Sequence, residues 1–116
     1  MFQAFWDEVM TTVREIMSTE LVTIDPSATL LKAASVMSAG HVGSVLVLEA
    51  GSLVGIFTER DMLRALAESS KADEARVSAV SKWMTRDPVT VGPDVPVAEA
   101  LDHMLFGGFR HLPVTE

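Results

Sequence analysis

Two hydrophobic periods alternate along this chain. From Leu30 the apolar positions Leu30, Leu31, Ala33, Ala34 and Met37 recur at helical spacing, and Val97, Ala98, Ala100, Leu101, Met104 and Leu105 repeat the pattern. Pro96 suits a first helical turn, and Gly40 and Gly107 suit the left-handed residue that closes a helix. Before each helix lies a short β-branched run, "LVTI" or "PVTV", followed by a proline-containing turn. After the first helix comes "VGSVLVL", nearly all apolar, as a buried strand would be, and "RHLPVTE" takes that place in the second copy. "GSLVGIF" then supplies a turn and another strand. "TERDMLRALAESS" predicts a helix whose Met62, Leu63, Leu66 and Ala67 face inward. The repeating order is strand, helix, strand, strand, helix, which places the chain in the α/β (α+β) class.

The repetition extends to the residues themselves. Residues 16–49 align without a gap on 83–116, an offset of 67, and nine of the 34 positions are identical: Met17/Met84, Val22/Val89, Thr23/Thr90, Pro26/Pro93, Ala33/Ala100, Met37/Met104, Gly40/Gly107, Val47/Val114 and Glu49/Glu116. Roughly two would match by chance, so the pattern marks a duplication. The expected organisation is an N-terminal amphipathic helix over 1–12, a first repeat over 13–70, a polar linker over 71–79 and a second repeat over 80–116. The second repeat is expected to be incomplete, because the counterparts of 50–70 would fall at 117–137.

Taken together, the tandem Met-(Thr/Ser) openings, the "VT(I/V)" runs, the "LPV" and the segment "GIFTERDML" resemble the cystathionine-β-synthase (CBS) domain pair, often called a Bateman module. The resemblance runs from about Val13 to Glu116. It implies a pseudo-twofold pair of small α/β repeats with clefts that in many members take AMP, ADP, ATP or S-adenosylmethionine. It further implies a homodimer and regulation of an attached or partner protein.

Thr58 and Asp61 can be read in two ways. A Thr-x-x-Asp at a strand-to-helix junction forms a capping box and favours the helix dipole. The same hydroxyl and carboxylate match the vicinal hydroxyls of a ribose, and the resemblance implies that role. Ile56, Val42 and Gly43 are candidates to line an adenine, although plain core explains Ile56 and a turn explains Gly43. Thr23 is a candidate for the base edge, or an ordinary strand threonine. The resemblance also implies that Arg110 and His111, just before "LPV", reach the phosphates of a nucleotide. The alternatives are a solvated arginine and a partly buried histidine. The aligned positions in the first repeat are Gly43 and Ser44, which favours AMP, adenosine or S-adenosylmethionine over ATP.

Composition narrows the partners. A net charge of −7 argues against a broad nucleic-acid or anionic-membrane surface. With no cysteine there is neither a disulfide nor a thiolate site, consistent with a cytoplasmic setting. No apolar run approaches the ~20 residues of a membrane span, and the start lacks the basic residues of a signal peptide. His41 and His103 show no metal-ligand spacing, and no catalytic motif appears, so a non-enzymatic protein that requires no cofactor is expected. The stripe Phe2, Phe5, Trp6, Val9, Met10, Val13, Ile16 and Met17 predicts a helix that packs on its own domain or forms an oligomer seam. A homodimer is expected, built on that stripe and on the apolar helix faces. Two functions follow: a sensor of an adenosine-containing ligand, or a non-binding dimerisation module.

Overall fold

The computed structural model describes residues 11–116, the side chain of Ala72 excepted. The chain divides into two compact units. One spans Glu20–Pro88; the other joins Val89–Glu116 to the segment preceding Glu20.

The Glu20–Pro88 unit is built on a sheet in the order β1 (Thr23–Ile24), β2 (Ser44–Glu49), β3 (Ser52–Thr58) and β4 (Thr85–Arg86). Helix α2 (Leu30–Gly40) carries the chain from β1 to the parallel β2, and the remaining pairings are antiparallel. Asp25 starts the turn after β1: its carbonyl accepts from Ala28 N at 3.0 Å, and its carboxylate accepts from Ser27 N and Oγ at 2.8 and 2.6 Å. Pro26 sits where its fixed φ favours such a turn. Thr29 caps α2 by accepting from Lys32 N at 3.1 Å. Ala50 and Gly51 make the two-residue β2–β3 turn, both with φ above zero, as a type I′ hairpin requires.

Pairing puts Val45, Val47 and Phe57 on one sheet face, where they meet Leu30, Ala33 and Met37 of α2 and Ala65 of α3 (Glu59–Glu68). On the opposite face Thr23, Leu46, Ile56 and Thr85 stand side by side across the four strands, with Ser44 and Thr58 as the next pair along. Helices α4 (Ala72–Val77) and α5 (Val80–Trp83) complete the unit. Where a linker was expected, α4 forms with Ala75 fully buried and Val77 exposed.

The other unit contains α1 (Val13–Ile16) and α6 (Val97–Gly107). Val13, Val91 and Ala100 are buried, with Met17, Val95, Leu112 and Val114 packed against them. The strand expected in "RHLPVTE" is reduced to a single bridge between Val91 and Val114. Pro113 has no N–H to give a ladder there.

The leading segments are exchanged between repeats. Val13 N donates to Val95 O at 2.9 Å, and at an offset of 67 Val80 N donates to Ala28 O at 2.8 Å. Arg14 N to Pro93 O matches Ser81 N to Pro26 O, and Val97 N to Thr11 O matches Leu30 N to Ser78 O. Each leading segment thus secures the helix start of the other repeat.

Three expectations are corrected. The left-handed residues are His41 and Gly108, one position after Gly40 and Gly107. Those two glycines serve close approach instead: a Cβ on Gly40 would press on Val22, and one on Gly107 would collide with the Phe109 ring. Pro96 is the N-cap of α6 rather than its first helical residue. In α3 the inward residues are Asp61, Met62 and Ala65, whereas Leu63 is 68% exposed and Leu66 is also exposed. The helix is rotated from the apolar reading because Asp61 is drawn into the cap. The helix expected over 1–12 lies outside the described residues except for Thr11 and Thr12, and Thr12 is the extended N-cap of α1.

Candidate ligand-binding site

Thr58 ends β3 in an extended conformation and caps α3, so strand geometry delivers its side chain to the helix start. Asp61 N donates to Thr58 Oγ1 at 3.3 Å, while Thr58 N and Oγ1 donate to Asp61 Oδ2 at 2.9 and 3.1 Å. The capping box is therefore formed. Asp61 is also the buried charged residue of the described core, with 7% exposure. Such burial is tolerated because its charge is met on both oxygens: Oδ1 faces Arg64 Nη2 at 3.5 Å. That ion pair is longer than the ~2.7–2.9 Å of a tight charge-assisted bond.

Gly43 lies beside this junction, its carbonyl accepting from Glu59 N at 3.0 Å. A Cβ there would make only ordinary contact with the Glu59 side chain. Val42 is half-buried against the helix-covered core, and its N–H closes the C-terminus of α2 on Met37 O at 3.0 Å. Ile56 is buried, and Thr23 is exposed on the same sheet face. The unit thus gathers Thr23, Ile56 and Thr58 on one face, with Gly43 and Asp61 at its end. Arg110 and His111 belong to the other unit and are exposed.

Sequence reasoning missed Arg64 and Trp83. Arg64 Nη2 donates to Trp83 O at 2.7 Å, and its guanidinium carbon lies 5.4 Å from the centre of the Trp83 ring. The spacing i, i+3 from Asp61 was the available signal, since it places Arg64 on the same helical flank. Nothing local marks Trp83, which arrives from α5. Among the described residues no group of three or more His, Cys, Asp or Glu is placed to hold a metal, and no helix is long and apolar enough to cross a membrane.

The family model for the CBS domain matches residues 13–68 and again 77–116. A 17.7 kDa protein of Acidianus ambivalens is 40% identical over 105 residues, which is 90% of this chain and 61% of that protein, so the chain spans about three fifths of the relative's length. A CBS domain pair solved in complex with 5-methylthioadenosine and S-adenosyl-L-methionine has a TM-score of 0.82 at 25% identity, covering 92% of this chain and 82% of the other. CBSX2, solved in complex with AMP, has a TM-score of 0.76 at 26% identity, covering 90% and 81%. With both repeats matched in sequence and in fold, the chain belongs to the CBS domain family and is a CBS domain pair.

Proposed function

We propose that this chain is a regulatory module that takes an adenosine-containing ligand, with the ribose on Thr58 and Asp61. The observation that carries this reading is the state of the Asp61 carboxylate. A carboxylate offers about four acceptor sites. Thr58 uses two of them, both on Oδ2, and Oδ1 has only the long contact to Arg64. A vicinal diol supplies two donors that suit the remaining capacity. Methylthioadenosine, S-adenosylmethionine and AMP, the ligands of the two solved relatives, all present such a ribose.

Adenine recognition is assigned to Ile56, Val42, Gly43 and Thr23, and phosphate recognition to Arg110 with His111. One basic pair favours AMP or S-adenosylmethionine over ATP. The exposed Leu63 and Leu66 of α3, with Leu101, Leu105 and Phe106 of α6, support a homodimer, since apolar surface of this kind is usually covered. Regulation of an attached or partner protein, in the cytoplasm and without nucleic acid or membrane, completes the proposal. The second reading, a non-binding dimerisation module, draws on the capping box, which satisfies Thr58 without a ligand.

Calorimetry with AMP, ATP, adenosine and S-adenosylmethionine separates the two. A binder at 100 times its Kd should also stabilise the protein by about 2.7 kcal/mol. Asp61→Ala should abolish binding and cost about 1 kcal/mol of stability through the lost cap; unchanged binding would remove the ribose assignment. Arg110→Ala should weaken AMP far more than adenosine, and equal losses would make Arg110 structural.

A further inference from the structure

Arg64 contacts two different acceptors through one nitrogen. Its Nη2 donates to the Trp83 carbonyl at 2.7 Å and faces Asp61 Oδ1 at 3.5 Å. Nη1 approaches Glu68 at 4.0 Å, so the guanidinium is held from a third side only weakly. Trp83 itself is buried, and its indole N–H has no hydrogen-bond partner. The ring belongs to the hydrophobic core, and two cations lie against it, with Arg64 at 5.4 Å and Lys82 Nζ at 5.3 Å from its centre. Trp83 is the last residue of α5, with Met84 between it and β4.

We propose that Arg64 is a positioning residue that couples occupancy of Asp61 to Trp83. The proposal rests on the ribose reading above and deepens it. With Asp61 unliganded, the guanidinium divides Nη2 between the carboxylate and the Trp83 carbonyl. A diol that donates to Oδ1 competes for the carboxylate, and Arg64 then settles on the Trp83 carbonyl and ring. The planar fork of arginine can hold two acceptors and a ring face at once, whereas a lysine ammonium is a point charge that cannot keep that geometry. Occupancy at the start of α3 is thereby passed to α5 and β4.

The test uses Trp6→Phe protein, in which Trp83 is the remaining tryptophan. AMP is titrated by calorimetry and by Trp83 emission on the same samples. The expected result is an emission shift that saturates with binding. Arg64→Met should abolish the shift and, with the competitor for Oδ1 gone, tighten AMP about 3-fold, in line with a half-exposed ion pair. Arg64→Lys should restore the parent affinity and leave the emission silent. Binding by calorimetry with an unchanged emission, or an emission shift that survives Arg64→Met, overturns the coupling while leaving the ribose reading intact. A ligand-free arm separates the two in the other direction: Asp61→Asn should shift Trp83 emission in the parent and not in Arg64→Met. If no adenosine compound binds and this arm still behaves as stated, the ribose reading fails while the link from Asp61 through Arg64 to Trp83 stands; if Asp61→Asn shifts emission equally in both backgrounds, that link is refuted.

Discussion

Met37 and Met104 occupy the same place in the two repeats, yet Met37 is 6% exposed and Met104 only half-buried. The same contrast runs along their helices. In α2, Leu30, Ala33 and Met37 are all buried; in α6 only Ala100 is, while Leu101, Leu105 and Phe106 stand exposed, Phe106 at 92%. Both helices have the same length and nearly the same apolar spacing, so helix formation does not depend on the difference. What differs is the surface each helix meets. α2 lies on a sheet face made by β1, β2 and β3, whereas the pairing beside α6 among the described residues is limited to the isolated bridges Thr12–Pro96 and Val91–Val114. Apolar periodicity therefore specifies which residues share a face, and the neighbouring layer decides whether that face is worth burying.

A matched pair of truncations tests this most strongly. Met37→Ala should cost about 2–5 kcal/mol, since it opens a cavity in a closed core, and Met104→Ala about 1 kcal/mol. Urea denaturation of the two variants measures both. Equal losses would mean that α6 is covered in solution as completely as α2.

A smaller effect is expected at the hairpin, which has no counterpart within residues 89–116. Ala50 holds φ of 50°, a region that costs a side-chain-bearing residue roughly 1–2 kcal/mol. Ala50→Gly should relieve part of that and raise stability by about 0.5–1 kcal/mol, after allowing for the entropy glycine adds to the unfolded chain. A lower melting temperature for this variant would show that the turn is not strained.

The smallest effect separates the two proline turns. The Ser27 hydroxyl, and then the Ser27 amide, hold the Asp25 carboxyl below its ordinary value of 3.8, against a slight opposing effect of desolvation. A carboxyl lowered in the folded state adds stability that is fully present above the unfolded value and is lost as pH falls through the folded one. That loss should begin near pH 3.8 and continue below it, and Ser27→Ala should flatten it. The aligned residues in the second repeat are Gly92 and Asp94, so that turn has no counterpart of the Asp25–Ser27 hydrogen bonds. A pH profile unchanged by Ser27→Ala would count against the assignment.

Much of this architecture was legible because the duplication made each segment a check on another. The helices from Leu30 and Val97 and the strands of "VGSVLVL" and "GSLVGIF" appear where the periodicity places them. The capping box was legible too, since Thr58 and Asp61 are three apart at a period change. The inward face of α3 was misread because hydrophobicity alone points to Leu63 and Leu66, whereas the cap turns a carboxylate inward. Helix α4 was missed because a small buried residue such as Ala75 leaves almost no pattern in a polar stretch. Trp83 joins the candidate site through tertiary contact, from a segment 22 residues beyond Asp61 whose own spacing points elsewhere.

The exchanged leading segments bear on how the chain reaches its fold. Val80 can find Ala28 as soon as the first repeat and the stretch after it are made, but Val13 has no partner until Pro93 and Val95 emerge. Closing so long a loop adds little free energy, because the entropic cost rises only with the logarithm of its length. The cost is in time and in protection: nonlocal pairing is slow, and Val13 stays uncovered while it waits. Neither repeat, cut at its sequence boundaries, carries the partners of its own helix start: those of α2 come from 78–81 and those of α6 from 11–14.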